Sequence, residues 1–271
     1  MNESAASNAG VDAGGEGQGI AATQEHQLLP LDLAERVVVL KMRESDSIRR
    51  HIFRRIERAD VDAYFAATVV ATQRSGQTIE NEIDIGSAEI KLYERVILRV
   101  SGYKLDDGRD LMELPNWKDR VPGGHRIRAA DLLTKVTRSA GAGDQLLNAE
   151  FDVISLDACW TEKEGSMSWY RGLLHRFTPP TAVHWKRFNN FKTRSVGVGG
   201  SRMQKTIYPR LDGVLSDLYD ELAVSVEGYS FQGAPFSDRA AIVSHMDRFH
   251  KVAAIAALFD KSGLDEEAEQ G

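Results

Sequence analysis

The sequence of 271 residues is poor in several features that define particular classes of protein. It has a single cysteine, Cys159, which excludes an internal disulfide framework and is typical of a reducing compartment. No run of apolar residues approaches the roughly 18 that a membrane-spanning helix needs. The N-terminus has neither a basic segment nor an apolar segment after it, so we expect no secretory signal. These absences predict a cytoplasmic protein that does not bind a membrane.

Sequence motifs that mark known catalytic centres are also absent. The chain has no Gly-x-Ser-x-Gly elbow, no His-Glu-x-x-His, no Walker-type phosphate loop, no Cys-x-x-Cys pair and no EF-hand loop. One cysteine and seven scattered histidines do not suit a structural zinc site. We therefore predict no catalytic residue, no metal ion and no cofactor, which favours a protein that is not an enzyme.

Two histidines, His125 and His250, follow similar sequences, DRVPGG before the first and DRF before the second. One interpretation makes them acid–base residues. The other makes them structural histidines that lie at a helix start or are partly buried and bind the backbone, and we favour it. Cys159 follows a predicted strand and has no recognisable histidine and acid beside it, so we interpret it as a small core residue.

Charge is distributed unevenly along the chain. Residues 1–30 carry four acidic and no basic side chains, and residues 264–271 carry four more acidic ones. The two ends together carry a charge of −8, and the whole chain carries −6. The part between the ends therefore carries +2. We expect residues 1–30 to be disordered, since they have almost nothing to bury. Residues 264–271 are predicted to be an acidic tail that serves solubility.

A twelve-residue pattern occurs twice, as LYERVILRVSGY at 92–103 and LYDELAVSVEGY at 218–229, with five identical positions. Its apolar residues follow helical spacing, so each copy predicts a helix that ends at Gly102 or Gly228. Similar spacing predicts helices over 48–58, over 169–177 and over 183–191, and a long helix that begins at Ser237. Short strands are predicted at 37–42 and 151–158.

These repeats predict a mainly α protein with a few short β-strands, an α+β fold built by tandem duplication of one small domain. The first repeat domain is placed at 31–137 and the second at 148–263. The segment 138–147, rich in Gly, Ala and Ser, is interpreted as the linker.

The segment 184–206 has six basic residues, no acidic residue and three interleaved aromatics. Basic side chains neutralise phosphates and exposed aromatics stack on bases, so this composition is typical of a nucleic-acid surface. The arginines on one face of the predicted helix 48–58 would add to this basic surface. The candidate polyanion-binding residues are Arg49, Arg50, Arg54, Lys186, Arg187, Lys192, Arg194, Arg202 and Lys205. The aromatics, however, also have the spacing of a core helix face.

Three functions follow from these observations. The first is a non-enzymatic structural or interaction protein, which acts as an assembly or scaffold component of a larger complex through protein partners or self-association. The alternative is a nucleic-acid or other polyanion-binding module. The third is an enzyme with an unrecognised site, for which a deep pocket lined by His125 or His250 would be the sign.

Overall fold

The structure, a computed structural model, describes residues 28–42, 47–72, 80–83, 85–139, 150–192, 196–197, 204–205, 211–236 and 238–269. Of these residues, 45% are helical and 34% lie in strands. The prediction of a mainly helical protein with a few short strands is therefore wrong. Strands hold about a third of the described residues, and two of them run for 12 residues each. Most of the predicted disordered segment and of the linker lies outside the described residues.

The N-terminal half of the described chain contains six strands, four helices and one 3-10 turn, Leu111–Glu113. In chain order they are β1 (Leu29–Pro30), β2 (Glu35–Lys41), β3 (Ile48–Arg54), α1 (Arg58–Thr68), β4 (Val69–Thr72), β5 (Glu80–Ile83), α2 (Ile85–Val96), β6 (Ile97–Ser101), α3 (Trp117–Arg120) and α4 (Gly123–Thr134).

The C-terminal half of the described chain contains eight strands and four helices. They are β7 (Val136–Arg138), β8 (Asp152–Lys163), β9 (Ser166–Phe177), α5 (Ala182–Lys192), β10 (Val196–Gly197), β11 (Gln204–Lys205), α6 (Leu211–Leu222), β12 (Ala223–Glu227), β13 (Tyr229–Phe231), β14 (Ala234–Pro235), α7 (Arg239–His245) and α8 (Arg248–Glu269). Helix α8 thus extends into the span that was predicted to be the acidic tail.

Two antiparallel sheets have the same local arrangement. In each, the second strand of a hairpin is central and pairs on its other side with the strand that follows a helix. The strand orders are β2-β3-β6 and β12-β9-β8-β7. The central strands place His51 between Val38 and Val100, and His175 between Ile154 and Val226. Each sheet therefore carries one histidine on its middle strand.

The segments 48–54 and 169–177 are strands, and the prediction of helices there is wrong. The spacing of Ile48 and Ile52 by four residues fits one face of a helix, but it also fits one face of a strand, whose side chains alternate with a period of two. The neighbouring β-branched run of β2 decides between them, because β2 pairs with β3 over seven consecutive residues. Local spacing could not reveal that partner.

The repeated twelve-residue pattern is half helix and half strand. Helix α2 ends at Val96 and α6 ends at Leu222, and strands β6 and β12 begin at the next residue. The prediction of a helix through to Gly102 and Gly228 was therefore wrong. Both glycines do have the left-handed conformation, with φ of +84° and +88°. They lie after a strand, however, and not after a helix.

The prediction of two helical domains in tandem is contradicted as well, since the described residues form a mixed α+β fold in which the halves share their cores. Phe249 of α8 packs in the hydrophobic cluster of the N-terminal half, and Leu29 packs in the cluster of the C-terminal half. β1 pairs in parallel with β13, far along the chain. The domain limits 31–137 and 148–263 stay predictions.

The long helix predicted from Ser237 is divided into α7 and α8. Asp238 begins α7, and its carboxylate accepts a hydrogen bond from the Ala241 amide at 2.8 Å. At the break, Asp247 accepts from the amide of Phe249 at 2.8 Å and so starts α8. Among the described residues, no helix has the length and apolar character needed to cross a bilayer.

Candidate functional site

A hydrogen-bonded chain of four side chains lies inside the N-terminal half. His51 of β3 bonds to two tyrosine hydroxyls, with its Nδ1 2.9 Å from Tyr93 and its Nε2 3.0 Å from Tyr103. The Tyr103 hydroxyl also lies 2.9 Å from Nδ1 of His125. The Phe53 ring stacks near His51 at a centroid distance of 6.3 Å. We call His51, Tyr93, Tyr103 and His125 the first network.

The C-terminal half contains a network with the same connections. His175 of β9 has its Nδ1 2.9 Å from the Tyr219 hydroxyl and its Nε2 2.8 Å from the Tyr229 hydroxyl. The Tyr229 hydroxyl lies 2.8 Å from Nδ1 of His250. Phe177 stacks near His175 at 6.2 Å. We call His175, Tyr219, Tyr229 and His250 the second network.

Burial keeps these histidines neutral. Desolvation lowers the pKa of His51 to about 4, and that of His175 and His250 to about 3 each. The pKa of His125 is lowered as well, first by desolvation and then by the charge of Arg49. Neutral imidazole has one donor and one acceptor nitrogen, and each tyrosine hydroxyl can donate to one and accept from the other. Both nitrogens of His51 and His175 are therefore used by hydroxyls.

Hydrogen bonds of the two networks join side chains from different secondary-structure elements. Histidines His125 and His250 bind tyrosine hydroxyls, whereas the sequence predicted backbone partners for them. Neither histidine lines the cavity that lies where the two halves of the chain meet. Cys159 is 1% exposed, and burial raises the pKa of its thiol to about 11, so at neutral pH it is a thiol packed in the core.

A cavity of about 450 Å³ lies where the two halves meet. Its wall is contributed by the segment before β2, by the turn between β3 and α1, by β8 and α6, and by the junction of α7 and α8. Apolar side chains and charged side chains both line it. Five of the lining residues are basic (Arg36, Arg55, Arg58, Arg248, Lys251) and four are acidic (Glu57, Asp217, Asp220, Asp247).

Arg36 of β2 is the most buried cation in this wall, with 4% of its surface exposed. Its Nη2 donates to the backbone carbonyls of Cys159 and Trp160, both at 3.2 Å. Its guanidinium carbon lies 3.5 Å from the centroid of the Trp160 ring. Desolvation lowers the Arg36 pKa to about 10, and the negative charge of Asp247 acts in the opposite direction. Arg36 therefore joins β2 to β8 and remains charged at neutral pH.

Four of the predicted polyanion-binding residues already contact a carboxylate or an aromatic ring in the described chain. Arg50, Arg54 and Arg187 pair with the carboxylates of Glu162, Asp60 and Glu221, at 2.8, 2.7 and 2.5 Å. The guanidinium of Arg49 lies over the Tyr103 ring at 5.2 Å, and Lys186 is exposed on α5. The side chains of Lys192, Arg194, Arg202 and Lys205 lie outside the described residues.

Sequence reasoning missed His51, His175 and Arg36. The signal for the two histidines was a repeated His-x-Phe, at 51–53 and 175–177, upstream of the repeated Tyr. The helical interpretation of both segments concealed this repeat. Arg36 had no signal, because its role depends on a strand more than 120 residues away.

Comparison of the chain with protein-family models, with curated proteins and with solved structures finds no match. The described residues also contain no group of three or more His, Cys, Asp or Glu side chains placed to hold a metal ion.

Proposed function

We propose that the protein is a non-enzymatic interaction protein that acts as an assembly or scaffold component of a larger complex. The observation that carries the proposal is the use of the candidate catalytic side chains as core. His125 and His250 each bind a tyrosine hydroxyl, and Cys159 is a buried thiol. Both nitrogens of His51 and His175, which the sequence did not single out, are also bound by tyrosine hydroxyls. Side chains that an enzyme would present to a substrate instead form hydrogen bonds and packing contacts that make the core rigid.

The proposed assembly forms in the cytoplasm, either with protein partners or by self-association. A rigid core suits an interaction protein, because a surface that is ordered before binding loses less conformational entropy on association. The single cysteine is consistent with a reducing compartment.

Light scattering coupled to size exclusion, over a range of protein concentrations, tests the proposal. We expect a mass above the 30.0 kDa of one chain, or a complex of fixed ratio that re-forms from its purified components. Treating the lysate with nuclease separates this from association through nucleic acid. A protein that stays monomeric at the highest concentration and forms no such complex would contradict it.

Polyanion binding is the second candidate, favoured by α5. The sequence of this helix contains no acidic residue, and Lys186 is exposed on it. Fluorescence anisotropy with a labelled single-stranded oligonucleotide tests it. We expect binding that weakens with salt and on Lys186→Glu, whereas Lys91→Glu, an exposed lysine on α2, serves as the matched control. Equal losses in both variants, or no binding at low salt, would rule it out.

A further inference from the structure

We propose that the cavity beside Arg36 is a binding site for a small organic carboxylate, with the carboxylate at Arg36 and an apolar body along the cavity wall. The site is independent of the assembly proposed above. The buried guanidinium of Arg36 has an incomplete hydrogen-bonding environment.

The guanidinium of Arg36 has fewer acceptors than donors. It carries five N–H groups, and the described residues supply acceptors to Nη2 alone. Its Nε is buried without a partner, as is the indole nitrogen of Trp160 beside it. None of the ion pairs among the described residues includes Arg36. A buried cation whose donors lack acceptors is costly, and a carboxylate ligand would supply acceptors to those donors.

The other deeply placed cations of the cavity already have partners. Lys251 Nζ lies 2.6 Å from the Asp220 carboxylate, and Arg248 lies 2.7 Å from that of Asp62. These pairs are locally neutral. Arg36 is therefore the cation of the inner wall that is left to attract an anion.

Asp247 is the acidic group that opposes an anion here. Desolvation lowers the pKa of Arg36, and the negative charge of Asp247 acts to raise it. The Asp247 carboxylate, however, accepts hydrogen bonds from the amides of Phe249 and His250 at the start of α8. It therefore balances Arg36 from a distance without occupying its donors. Removing this charge while keeping the helix start should make the cavity more attractive to anions.

The rest of the wall defines the body of the ligand. Leu31, Leu33, Ile56, Val61, Val243 and Met246 line the same cavity. A volume of about 450 Å³ lies within the range of pockets that hold small organic molecules. A bare inorganic anion would leave this apolar surface uncovered, so an acid with a short hydrocarbon body suits the cavity better.

Calorimetry with three probes tests the assignment on the full chain. Hexanoate has the charge and the body, hexanamide has the body alone, and inorganic phosphate has charge alone. We expect saturable binding of hexanoate at millimolar concentration, with hexanamide and phosphate much weaker. Tryptophan fluorescence should change with hexanoate, and the Trp160→Phe variant identifies which part of that change arises at the cavity.

Three variants sharpen the test. Arg36→Met should weaken hexanoate binding about 10- to 100-fold, the loss expected for hydrogen bonds to a charged group. Arg126→Met is the matched control, because Arg126 also has a buried, unpartnered Nε but does not line the cavity. Asp247→Asn keeps a good helix-start residue and should tighten hexanoate severalfold. This gain does not depend on Arg36→Met folding.

Several outcomes would overturn the assignment. With the probes, they are equal binding of hexanoate and hexanamide, preference for phosphate, or no binding of any probe to the folded protein. With the variants, the outcome is an unchanged hexanoate affinity in Asp247→Asn together with equal losses in Arg36→Met and Arg126→Met. Each would show that the burial of Arg36 serves only to join β2 to β8.

Discussion

The two networks have the same bonds but different surroundings. His250 ends the second network at 1% exposure, beside the Trp160 ring at 6.0 Å, whereas His125 ends the first network only partly buried. Burial lowers the pKa of His250 to about 3, while that of His125 is lowered less strongly. Identical hydrogen bonds thus contribute differently, because water can replace a lost partner at His125 but not at His250.

Lowering the pH should cause the largest loss of stability, mostly through the buried histidines His51, His175 and His250. Their pKa values are lower in the folded state than the ordinary 6.5, so protons bind the unfolded chain preferentially. The stability they contribute is complete above pH 6.5 and is lost as the pH falls toward 4 for His51 and 3 for His175 and His250.

Lowering the pH from 7 to 5 should cost about 2 kcal/mol for each of these three histidines. Urea unfolding at constant ionic strength measures the total. Proton NMR of the imidazole rings separates the networks, since His125 should titrate at a higher pH than His250. If His250 titrated near its ordinary pKa, the proposed difference in burial between the two networks would be contradicted.

The glycines after β6 and β12 should differ in the next largest effect. A methyl group at Gly102 would lie 2.2 Å from the Ile48 backbone oxygen, which cannot move without disturbing β3. At Gly228 it would meet Leu173 Cδ2 at 2.8 Å, the end of a side chain that can rotate. We expect Gly102→Ala to cost about 3 to 5 kcal/mol and Gly228→Ala about 1 to 2, by urea unfolding at pH 7.

The reverse order would mean that backbone contact is not what distinguishes the two positions. Because both residues have the left-handed conformation, the cost of positive φ is common to the two variants. The difference between them therefore reports the contact.

Removing the central hydroxyl of each network should give a smaller difference. In Tyr229→Phe, His175 and His250 each lose a partner with no access to water, and we expect a loss of about 2 to 4 kcal/mol. In Tyr103→Phe, the buried His51 also loses a partner, but water can reach His125, so we expect a smaller loss of about 1 to 2 kcal/mol. Chemical denaturation at pH 7 measures both. Equal losses would show that the depth of the second network does not matter to stability.

Surface ion pairs on the two sheets should matter least. Glu35 binds Arg99 at 2.7 Å, and Glu227 binds Arg176 at 2.5 Å, all with exposed or half-exposed side chains. We expect Glu35→Gln and Glu227→Gln each to change the unfolding free energy by less than about 1 kcal/mol. A larger change in only one of them would show an asymmetry of the sheets that the networks do not explain.

The fold could be predicted from the sequence only in part, and β3 shows why. Its Ile48 and Ile52 fit both a helix and a strand, and the decision came from β2, which supplies the hydrogen-bonding partner. The strand predicted at 37–42 is present as β2, and the helix predicted at 183–191 is present as α5. These segments have one clear period, so no tertiary partner was needed to assign them.

The candidate cavity could not be predicted at all. Its wall comes from segments as far apart as Leu31 and Lys251, and Arg36 gains its acceptors from β8 across the interface of the two halves. Nothing near Arg36 in the sequence distinguishes it from other arginines. Only after β2 lies beside β8 does its burial arise.

By itself, the sequence determined where several helices and strands lie, the absence of known catalytic motifs, and the left-handed glycines Gly102 and Gly228. These depend on local periodicity and on the backbone freedom of glycine. The tertiary structure decided that the repeated Tyr residues bind histidines, that the two halves share their cores, and that Arg36 is buried beside a cavity. Those features arise from contacts between residues distant in sequence, whose energies no local pattern records.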